Sequence, residues 1–109
     1  WDREQALARL LNKEVLLNKI CEVFVVKVPI KVQELIEQHK KGNSEEVRQI
    51  AHALKGMCGE ISANKLRELF SDIEVIAEKG NLDIGAQLVT IEQMIPRLVE
   101  DIARQLGKL

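Results

Sequence analysis

Aromatic side chains are scarce in this chain: it has no Tyr, one Trp and two Phe. That is too few to build a platform on which bases stack, and no basic stripe interleaves with them, so nucleic-acid recognition is disfavoured. One-sided charge is absent as well. The 16 basic and 17 acidic residues leave a net charge of −1, so no global field steers the chain to polyanions or anionic membranes. The two cysteines, Cys21 and Cys58, form no CxxC pair. They read as reduced, buried small hydrophobes, which points to a cytosolic setting. No apolar run reaches the ~18–20 residues of a membrane span, and no signal peptide is visible. Proline is limited to Pro29 and Pro96, and no linker or repeat divides the chain, so one domain is expected over 1–109.

What is present is aliphatic and charged: 46% hydrophobic and 30% charged residues, a composition that suits a helical bundle. A domain of this size buries roughly 60–70% of its unfolded surface, enough for a core without staples. The chain opens on Trp1 rather than Met and is expected to be a piece of a longer protein.

Apolar spacing is helical throughout, and no segment alternates with period two. Asp2 with Gln5 suits the capping box of a short first helix whose stripe is Ala6, Leu7, Leu10 and Leu11. A second helix is expected from about Lys13 toward Lys41, with Leu17, Ile20, Cys21, Phe24 and Val28 on one face and Pro29 kinking or splitting it. Val15, Val23 and Val26 lie on its other side. Two accounts of that surplus are cover by the first helix, which is preferred, and a docking surface. A third helix runs from Asn43 or Ser44 to about Ile61, a fourth from about Ala63 to Lys79. A fifth begins after Asn81 or Asp83 and should bend at Pro96. The expected fold is all-α: an antiparallel up-down four-helix bundle with a short additional N-terminal helix.

The third helix carries Ala51-His52-Ala53-Leu54-Lys55-Gly56-Met57-Cys58-Gly59. At 100° per residue, Val47, Ile50, Leu54, Met57, Cys58 and Ile61 point opposite His52, so the imidazole faces outward. Glu45, Arg48, Gln49, Lys55, Gly56 and Gly59 gather around it. Lys55, at i+3, is expected beside the ring, where its charge favours the neutral nucleophile and later a phosphoryl group. Each helical glycine costs about 1 kcal/mol against alanine, so two beside a histidine ask for a reason. The reason read here is clear space for a partner's active site. His39, on a polar stretch, reads as an idle surface histidine.

Ala51-His52-Ala53-Leu54-Lys55-Gly56, with Cys58, Gly59, Ile61, Ala63 and Leu66, resembles the His-x-x-Lys-Gly signature of histidine-containing phosphotransfer (HPt) domains. Asp2, Leu7 and Leu10, then Phe24, Pro29 and Leu35, then Leu66, Leu69, Ile73, Glu74 and Gly80 extend the resemblance over nearly the whole chain. It implies a phosphorelay intermediary from a bacterial hybrid sensor histidine kinase. His52 would be the phosphoacceptor from a receiver-domain aspartate, passing the group to another receiver, with Lys55 as charge support. Arg48, Gln49, Gly56, Gly59 and Glu60 would meet the partner. No metal site, cofactor or ATP site is expected in this chain, with Mg²⁺ carried by the receiver. The domain is expected to be cytoplasmic and monomeric without direct membrane contact, tethered to the inner membrane where a parent sensor kinase is. Met57, Cys58, Glu60 and Ser62 depart from the family pattern, which favours small residues, Asn and Gly there.

The alternative from another class is a helical docking or adaptor bundle without phosphotransfer. An independent enzyme is disfavoured, because no P-loop, no Glu-x-x-His pair and no paired nucleophile and base are found.

Overall fold

The computed structural model describes residues 1–107; Lys108 and Leu109, counted in the one-domain expectation, lie outside the described residues. Five helices follow one another: α1 (Arg3–Arg9), α2 (Glu14–Lys40), α3 (Ser44–Glu60), α4 (Asn64–Glu78) and α5 (Gly85–Gln105). α3 packs between α2 and α4, and α5 closes the ring against both α4 and α2. This is the expected all-α bundle with a short N-terminal helix. Its core is aliphatic apart from Phe24, Phe70 and the thiols of Cys21 and Cys58, and every long helix contributes one stripe. On α3 that stripe is Val47, Ala51, Leu54 and Cys58, with Ile50 and Met57 only partly buried.

Neither proline splits its helix. α2 continues through Pro29 and α5 through Pro96. Both prolines line one groove with Val32, Gln33, Glu92 and Ile95, so the two sites that lack an N–H share the α2–α5 seam.

The first helix is shorter in reach than its stripe promised. Asp2 caps it by accepting from the Gln5 N–H at 2.9 Å, as expected. Its own N–H instead donates to the Ser62 carbonyl, and the Gln5 side chain accepts from Asn64. Leu11 is not part of the apolar face. It follows the helix end in a left-handed conformation (φ 54°) and is 79% exposed. Nor does α1 cover the surplus of α2: Val15, Val23 and Val26 remain exposed. The seven residues of α1 span only about 10 Å and are held between the start of α2, where Arg3 pairs with Glu14, and the α3–α4 turn, so they do not reach along α2.

That turn has a feature of its own. The Ala63 N–H donates to the Cys58 carbonyl and the Ser62 N–H to the Gly59 carbonyl, closing α3 in a Schellman motif. The left-handed position falls on Ser62 (φ 56°), where glycine is usual, and its side chain is fully buried. The guanidinium of Arg9 donates to the Ser62 hydroxyl and to the Gly59 carbonyl, so α1 supplies a partner for the buried hydroxyl.

Candidate functional site

α3 turns its buried stripe inward and leaves His52 on the opposite side, with the side chain 67% exposed. α4 runs antiparallel to α3 from the turn at Ser62. His52 and Glu74 lie at similar distances from that turn, so the hairpin brings Glu74 level with the histidine.

The Glu74 carboxylate joins two groups. Oε2 contacts His52 Nδ1, and Oε1 accepts from Lys55 Nζ at 2.6 Å. Glu74 is itself mostly covered, 14% exposed. Burial pushes its carboxyl up, but the hydrogen bonds from Lys55 and His52, and then their charges, outweigh it and hold it below the ordinary carboxylate range. Glu74 is therefore an anion at neutral pH and acts as the acceptor. An Nδ1 proton facing a carboxylate leaves the lone pair on Nε2, and Nε2 makes no hydrogen bond among the described residues.

Lys55 shares this carboxylate with the ring rather than bonding the ring itself. The imidazole's nearest charge is the carboxylate, and Lys55 holds that carboxylate from the other side. Glu74 was legible in the sequence only as a member of the fourth helix. The signal that locates it is the hairpin count about Ser62, which needs the turn's position to be known.

The other named residues divide into distinct settings. Arg48 grips Glu45 with both ends of its guanidinium, at 3.0 and 2.6 Å, and Gln49 adds a third bond at 3.1 Å. Those bonds pull the exposed Glu45 carboxyl down to about 2. Gly56 is bare: a Cβ built there meets nothing within 4 Å. Gly59 is not bare. A Cβ there would meet the Arg67 side chain at 3.6 Å, so the space expected for a partner already holds an arginine from α4. Glu60 lies off this face and lines a groove with Lys19, Ile20, Val23, Phe24 and Met57. Cys58 is buried, and desolvation pushes its thiol up to about 12, so it is not a nucleophile. His39 is not idle: its Nε2 meets the Leu82 carbonyl at 2.9 Å and ties the end of α2 to the loop before α5.

The exposed histidine, its carboxylate and the bundle now meet an independent observation. The Hpt domain family model matches residues 19–105, most of the chain, and the chain belongs to the Hpt domain family. Hpt domains are phosphocarriers rather than kinases; they exchange phosphoryl groups with receiver domains in two-component phosphorelays, and this chain has that class of role. α1 lies outside the matched span. No curated protein and no solved structure shows significant similarity to the chain. No described helix is long and apolar enough to cross a membrane.

Proposed function

We propose that His52 is the phosphoacceptor of this domain and that Nε2 is the reacting atom. The observation that carries this reading is the ring held through Nδ1 by Glu74 while Nε2 stands free and exposed. In the forward step Nε2 attacks the phosphorus of a receiver's aspartyl phosphate. The N–P bond forms, the acyl P–O bond breaks, and the aspartate leaves as a carboxylate. The loose transition state spreads charge over three equatorial oxygens, so cations and alignment matter most. Alignment comes from Glu74, which keeps the proton on Nδ1 and balances the charge that the ring gains. Lys55 anchors Glu74. Mg²⁺ belongs to the receiver in this reading. The step reverses onto the aspartate of a second receiver.

Gly56 leaves backbone open one turn from His52, where the receiver approaches. Arg48 and Gln49 border that approach, while Glu60 faces the groove toward α2. The domain acts as a monomer without an ATP site, in the cytoplasm, within or beside a hybrid sensor histidine kinase.

Incubation with a ³²P-phosphorylated receiver tests the assignment. Wild type takes acid-labile label and His52→Gln takes none. Label that survives this substitution, or that resists acid, overturns it. The adaptor reading draws on one observation, the exposed Val15, Val23, Val26 and Ile30 on α2. It predicts a partner bound equally well by wild type and His52→Gln.

A further inference from the structure

The two glycines beside His52 have different jobs. Gly59 follows His52 by two turns of helix and points within about 20° of the same direction. The space above it holds the Arg67 side chain, with Cδ at 3.6 Å and Nε at 3.9 Å from a Cβ built there. These are ordinary packing distances, so a methyl fits and anything larger displaces the arginine. Gly59 thus lets a cation from α4 lie across α3, about 10 Å along the axis from His52.

Arg67 is exposed and forms no ion pair among the described residues. Arg9 reaches the same spot from α1 and bonds only neutral acceptors, the Gly59 carbonyl and the Ser62 hydroxyl. Two guanidinium charges therefore stand uncompensated at this end of the histidine face. The other end is different: Arg48 is neutralised by Glu45, and Glu74 and Glu78 are close enough to act on it electrostatically. The face is uneven along α3, with unpaired guanidinium groups beyond Gly59 and an ion-paired Arg48 at the other end, and with bare Gly56 and the imidazole between.

We infer that Arg67, seated on Gly59, is the contact that reads the acidic rim of a receiver domain and so sets which way round the receiver docks. The inference rests on the phosphotransfer reading of His52. A divalent cation that serves a phosphoryl group is held by carboxylates, so the surface bordering a receiver's aspartyl phosphate is acidic. An uncompensated cation to one side of the acceptor favours the approach that brings that rim over Gly59. Such complementarity acts mainly on the association rate and weakens with salt. Arg9 adds charge there, but its bonds to the turn give it a structural duty, so Arg67 is the residue to change.

The experiment measures transfer from a ³²P-phosphorylated receiver at limiting and saturating receiver, in 50 mM and 500 mM salt. Arg67→Glu is expected to lower the limiting-receiver rate by about 10- to 100-fold at low salt. The gap should narrow to a few-fold at high salt, while the rate at saturation changes little. Arg67→Lys should recover most of the loss. Gly59→Leu should behave like Arg67→Ala, and Gly59→Ala like wild type. Wild-type rates for Arg67→Glu at low salt overturn the inference, and so does a loss equal at both salts. Labelling of His52 by phosphoramidate, which needs no receiver, separates the two readings. If His52→Gln labels as wild type does, with phosphoramidate and receiver alike, the acceptor assignment fails. If His52 is required and Arg67 is silent, only the docking assignment fails.

Discussion

His52 and His39 are the only histidines in the chain, and the structure gives them opposite employment. Both sit on polar helix faces. His39 spends Nε2 on the Leu82 carbonyl and joins two parts of the bundle. His52 spends Nδ1 on Glu74, and on its exposed ring the other nitrogen makes no hydrogen bond among the described residues. Residue type does not separate them, and exposure does so only in degree, His39 being half-buried and His52 exposed. What separates them is which ring nitrogen the neighbours leave free, and how well they orient it.

The comparison breaks most directly by removing each ring. His52→Gln is expected to abolish labelling by a phosphorylated receiver, while His39→Gln retains the wild-type rate in the same assay. Equal loss in both would erase the distinction. Next in size is the carboxylate. Glu74→Gln keeps the shape but loses the charge and the tautomer preference, and transfer should fall on the order of 10- to 100-fold, as expected of a misaligned acceptor. Phosphoryl transfer at the wild-type rate would show that Nδ1 needs no anion.

The same carboxylate has a pH signature. Its folded value lies below the ordinary 4.5, so its share of stability is fully present above that pH and is lost as pH falls through the lowered folded value. Urea midpoints of wild type and Glu74→Gln should therefore differ by a constant amount above pH 4.5 and converge below it. A gap that widens in acid would reverse the sign and contradict the Lys55–Glu74–His52 arrangement.

A smaller effect tests the turn that aligns His52 with Glu74. Arg9→Ala should cost about 1–3 kcal/mol by urea denaturation, since it strands a buried hydroxyl. Ser62→Gly removes both that hydroxyl and the left-handed strain of about 1–2 kcal/mol. In that background Arg9→Ala should cost much less. Additive costs would mean that Arg9 does not serve Ser62. The smallest effect is at His39. His39→Gln should lower stability by about 0.5–1.5 kcal/mol, the worth of one hydrogen bond, with transfer unchanged.

Helix number, boundaries and inward stripes were largely readable from the chain. A 3.6-residue period repeated over α3, α4 and α5 permits one buried face, and the burial of Leu66, Phe70, Ile73, Leu88, Ile91 and Ile95 follows it. The outward direction of His52 came from the same arithmetic. Periodicity failed where it ran past a helix end, at Leu11, and where it assumed cover, at Val15, Val23 and Val26. A stripe says that a face is apolar; only the neighbour's length and position say whether it is covered.

The site shows the same boundary. His52, Lys55 and Gly56 belong to one helix, and their mutual placement depends on rise and rotation per residue alone, so the sequence determined it. Glu74 on the ring, Arg67 over Gly59 and Arg9 on Ser62 join residues from separate helices. Their meeting depends on how α4 and α1 pack against α3, which is decided by core volume and turn geometry rather than by spacing along one helix. Local geometry placed His52; tertiary packing chose its partners.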